Sequence, residues 1–195
     1  MEELGWNRRE FVRAAGLLGI VLGVPGCTTA AALDPAYAPG LDDLMVMNEI
    51  AELVIPATDT PGAAEAEVGA FVLLALEHGL DGARVPLAPD TVSSTIGPHL
   101  RTDGSLDHLR WLRASLSAPL GESLTALDAV AFSGVSDAQP WRLVKGLILT
   151  GYYTSRIGGS VELQYAPIPG RFNPAVPVEP GQRAYSNDWT GVDFG

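Results

Sequence analysis

Residues 42–62 read Asp-Asp-Leu-Met-Val-Met-Asn-Glu-Ile-Ala-Glu-Leu-Val-Ile-Pro-Ala-Thr-Asp-Thr-Pro-Gly. Leu44, Met47, Ala51 and Val54 recur at intervals that lay one apolar stripe along an α-helix. Asp42 and Asp43 suit the positive end of its dipole, and Pro56 stops it. The segment Thr58-Asp59-Thr60-Pro61-Gly62 then reads as a turn, with Thr60 as cap and Pro61 as the first residue of a second helix. Helix, proline stop and capped restart set the pattern for the rest of the domain.

The second helix is expected to run to about Leu80, with Val68, Phe71, Val72, Ala75 and Leu76 on its buried side. Residues 82–102 lack a strong period and read as a loop. A third helix is expected over 105–117, carrying Leu106, Leu109, Trp111, Leu112 and Leu116 and ending near Pro119. A short fourth helix carries Leu124, Leu127, Val130 and Phe132. The last, capped by Ser136 or Asp137, presents Trp141, Val144, Leu147 and Ile148 on a wide apolar face leading to Tyr152. From Gly158 onward prolines at 167, 169, 174, 177 and 180 forbid regular helix. Tyr165, Phe172, Tyr185, Trp189 and Phe194 punctuate that tail, so it is expected as ordered coil lying on its own helices, on a partner, or on both. The fold class is therefore all-α: a small irregular domain of about five helices with a long ordered C-terminal coil.

The 195 residues suit one domain with tails, and a single Cys means that packing, with no intramolecular disulfide, must hold it. Twelve Lys and Arg face 23 Asp and Glu, a net charge of −11, and Lys145 is the sole lysine. That field opposes nucleic acid as a partner. No apolar run approaches the ~20 residues of a membrane-spanning helix.

The N-terminus reads as an export signal over residues 1–27. Arg8, Arg9 and Arg13 precede an apolar stretch from Ala14 to Val24 and a small-residue site. Adjacent Arg8 and Arg9, followed by Phe11 and Val12, resemble the twin-arginine signal, with an ordinary secretory leader as the alternative. Val24-Pro25-Gly26-Cys27 resembles a lipobox that would acylate Cys27; plain cleavage near Ala30-Ala31-Ala32 is the other reading. Residues 28–40, rich in Ala, Thr and Pro, read as a linker, and 41–195 as the exported domain. Removing residues 1–26 takes away three acids and three arginines, so the acidity belongs to the exported body.

Catalytic signatures do not emerge. The sequence has no glycine-rich nucleotide loop, no G-x-S-x-G elbow and no Cys-x-x-Cys-His haem motif. His78, His99 and His108 lack metal-ligand spacing, and His108 is expected to make a surface hydrogen bond near Asp107. Glu49 and Glu52 read as a solvated face of the first helix. Neither a catalytic residue nor a metal ligand is assigned.

Three stretches together carry a resemblance. Residues 47–68 read MNEIAELVIPATDTPGAAEAEV, residues 144–159 read VKGLILTGYYTSRIGG, and residues 165–186 read YAPIPGRFNPAVPVEPGQRAYS. They resemble, in order, the gluconate 2-dehydrogenase subunit 3 family, the small subunit of bacterial membrane-associated sugar and alcohol dehydrogenases. The resemblance implies a non-catalytic small subunit without a cofactor of its own. Its partner would be a large FAD-binding dehydrogenase of the glucose–methanol–choline type, and a c-type cytochrome often completes such complexes. It further implies that this chain escorts the folded flavoprotein through the twin-arginine translocase into the periplasm, at the membrane. Asn173-Pro174-Ala175-Val176 stands where many relatives carry a Gly-Cys pair, which excludes a disulfide to the large subunit there. The candidate docking residues are Pro56, Thr58, Asp59, Pro61 and Gly62 in the first loop, Tyr152, Tyr153, Thr154 and Ser155 at the end of the last helix, and Pro169, Gly170 and Phe172 in the tail. A free-standing periplasmic lipoprotein that binds a ligand or other partner is the competing function.

Overall fold

The computed structural model describes residues 40–133, 136–165, 175 and 177–186. The export-signal residues Arg8, Arg9 and Phe11, the lipidation candidate Cys27, and the tail residues Pro169, Gly170 and Phe172 lie outside them. Among the described residues there are five α-helices: α1 (Leu41–Val54), α2 (Val68–His78), α3 (His108–Ser115), α4 (Leu120–Phe132) and α5 (Gln139–Thr154). A π-helical turn, Gly158–Glu162, follows α5. The two-residue strands β1 (Gln164–Tyr165) and β2 (Tyr185–Ser186) pair in parallel. The all-α expectation holds.

The long apolar face of α5 organises the core. Trp141, Val144, Leu147, Ile148 and Tyr152 are all buried, as their helical spacing predicts. Against them pack Val72, Leu73 and Leu76 of α2, Trp111 and Leu112 of α3, and Leu124 and Ala131 of α4. On α1, Met47 and Ala51 of the predicted stripe are fully buried and Ile50 joins them, while Leu44 and Val54 pack at its margin. Asp43, in the first turn of α1, also reaches Arg113 of α3 at 2.7 Å. No helix among the described residues is long and apolar enough to cross a membrane.

Four local expectations need correction. The second helix starts at Val68, not at Pro61, because Glu67 takes a left-handed φ of 57° that separates the turns of 63–67 from the helix. The third helix starts at His108, where Asp107 accepts the Arg110 N–H at 3.0 Å. Its expected first turn instead pairs backward through antiparallel bridges between Pro86 and Ser105 and between Leu100 and Leu106. The fourth helix leaves Val130 and Phe132 exposed and turns Ala131 inward. Phe132 lies under Arg142 and Lys145, with centroid distances of 5.3 and 4.9 Å. Finally, neither Ser136 nor Asp137 caps α5. A 3-10 turn over Ser136–Ala138 leads into that helix, and Asp137 accepts from the Thr95 hydroxyl at 2.8 Å.

Candidate docking loop

Between α1 and α2 the chain folds back on the end of α1, where the Ala63 N–H donates to the Ile55 carbonyl at 2.9 Å. Such a loop exposes backbone donors that need acceptors. Glu52 supplies them. Its Oε1 accepts the Ala57 N–H at 2.8 Å and its Oε2 the Ala64 N–H at 2.9 Å. Glu52 is therefore no part of a solvated face, as the sequence suggested, although Glu49 is exposed. Gly62 makes the fit possible: a Cβ there would lie 2.4 Å from both Glu52 oxygens and 2.6 Å from the Ala57 nitrogen.

Two further elements fix the same loop. The Tyr152 hydroxyl, from the last turn of α5, donates to the Pro61 carbonyl at 2.8 Å. The Thr60 hydroxyl, expected to cap a helix, instead donates a hydrogen bond to Glu162 Oε2 in the π-helical turn. Tyr152 is 1% exposed, and burial pushes its phenol above the ordinary range. A Thr60 hydrogen bond works against that rise, and the negative charges of Glu162 and Glu52 add to it. Tyr153 meets the Tyr152 ring edge-on at 5.2 Å.

The π-helical turn is placed by Ser155 and Gly158. The Gly158 N–H donates to Ser155 Oγ at 3.0 Å, and the Gly159 N–H to the Ser155 carbonyl at 2.8 Å. A Cβ on Gly158 would fall 2.0 Å from the Tyr152 carbonyl oxygen, so only glycine allows so close a return onto α5. Thr154 bonds back to the Thr150 carbonyl at 2.6 Å.

The structure thus brings the first two groups of candidate docking residues together around one loop. Gly62 and Tyr152 are buried and shape the loop, and Pro61, Tyr153 and Ser155 are half-buried. Pro56, Thr58, Asp59 and Thr154 face solvent. Sequence reasoning missed Glu52, Glu162 and Arg183, whose guanidinium reaches Asp59 at 3.3 Å. A signal existed for Glu52: an acid in the last turn of a helix opposes the dipole and calls for a local reason.

Elsewhere the chemistry is sparse. Among the described residues no group of three His, Cys, Asp or Glu side chains is placed to hold a metal ion. His108 is buried rather than at the surface, and desolvation lowers its pKa to about 4. An open groove of about 410 Å³ is lined by Trp111, Leu127, Val130, Asp137 and Ala138.

Searches of curated proteins and of solved structures return no significant match. The profile of the family described as Gluconate 2-dehydrogenase subunit 3 matches residues 42–135 and 124–170. These overlapping spans take in the loop, all five helices and the π-helical turn, well over half of the chain. The chain belongs to the gluconate 2-dehydrogenase subunit 3 family.

Proposed function

We propose that this protein is the non-catalytic small subunit of a periplasmic, membrane-associated FAD-dependent sugar or alcohol dehydrogenase. It stabilises the large flavoprotein and escorts it through twin-arginine export. The family match carries this reading, since it makes the chain an accessory subunit of a dehydrogenase complex. The Arg8-Arg9 leader supports folded-state export, which suits a partner that takes up FAD before crossing the membrane. Cys27 offers a point of lipid attachment. FAD belongs to the large subunit in this reading. Oxidation of the substrate is the work of that flavin, and the small chain holds the flavoprotein in its exported, assembled form.

The test is a native pull-down of the tagged protein from a periplasm-plus-membrane fraction. A co-purifying large chain with flavin absorbance, lost from the periplasm when residues 1–27 are deleted, is the expected outcome. A colourless monomer in high yield, with a flavoprotein exported normally in its absence, would overturn the reading in favour of a free-standing lipoprotein.

A further inference from the structure

We draw no further inference here: the strongest candidate, the open groove between α3 and α4 lined by Trp111, Leu127, Val130 and Ala138, carries none because nothing in the structure shows what covers it.

Discussion

The connection from α1 to α2 and the connection from α2 to α3 are both irregular, but they are held in opposite ways. The first relies on one carboxylate, Glu52, which accepts two backbone N–H groups, with Tyr152 and Thr60 bonding on either side of Pro61. The second spreads its support over partly exposed ion pairs. Arg84 bridges Glu77 at 3.4 Å and Asp103 at 2.8 Å, and Arg101 reaches Glu77 at 3.0 Å. Asp103 Oδ1 also accepts the N–H and hydroxyl of Ser105 at 2.9 and 2.6 Å. Concentrated support makes a loop depend most on one side chain. Distributed support survives single losses and responds to salt and acid.

The contrast breaks most visibly at Glu52. Glu52→Ala removes two charge-assisted bonds and strands the Ala57 and Ala64 donors, at an expected cost of about 3 kcal/mol. Glu52→Gln keeps one acceptor oxygen and is expected to cost about half of that. Gly62→Ala is expected to cost about 2 kcal/mol, because its Cβ would collide with the same carboxylate. Urea unfolding of the purified domain measures all three. A cost below 1 kcal/mol for Glu52→Ala would mean that Tyr152 and Thr60 hold the loop without it.

Acid sharpens the other side. His108 has a pKa of about 4 in the folded chain against 6.5 for the free side chain, with burial as the main cause. A backbone hydrogen bond with Leu106 raises that pKa, Arg101 lowers it, and Asp107 raises it. Between those two values the unfolded chain binds a proton that the native chain does not. Stability therefore falls as the pH drops from about 6.5 to 4, by up to about 3 kcal/mol, and this contribution is level below that. Asp103 acts in a separate window. Ser105, through its hydroxyl and its N–H, and then Arg84 hold its pKa at about 2, so its contribution is lost only as the pH falls from 3.8 through about 2. Unfolding midpoints of wild type and His108→Gln across this range test the assignment: the gap between them should close as the pH falls toward 4. A gap that stays constant would sink it.

These loops also mark where the sequence stops being readable. The α5 face was legible because Trp141, Val144, Leu147, Ile148 and Tyr152 obey a helical period, and burial follows from that period. The turn residues Pro56 and Gly62 were legible as punctuation. Their partners were not, because Glu52, Thr60, Glu162 and Tyr152 meet only when α1, α5 and the π-helical turn converge. Thr60 and Glu162 are 102 positions apart in the chain. His108 misled for a similar reason. Its neighbour Asp107 suggested a surface pair, but the bridge between Leu100 and Leu106 turns that segment inward and Asp107 is used as a cap. Local pattern predicts what one element does, and long-range hydrogen bonds decide what a loop does.

The smallest expected effect completes the contrast. Glu77→Gln leaves the side-chain volume and one acceptor in place but removes the charge shared by Arg84 and Arg101. Both pairs are about one-third exposed, so solvent already screens them and the expected loss is about 0.5–1 kcal/mol. Arg84 keeps Asp103 as a partner, whereas the Ala57 and Ala64 N–H groups share the single acceptor Glu52. The wild-type advantage should shrink in high salt, because screened charges gain less from being paired, whereas the cost of Glu52→Ala should barely change. Thermal unfolding of both variants at low and high salt reads the two dependences side by side. If Glu77→Gln proves as costly as Glu52→Ala and equally insensitive to salt, the second connection too depends on one carboxylate, and the division between concentrated and distributed support does not hold.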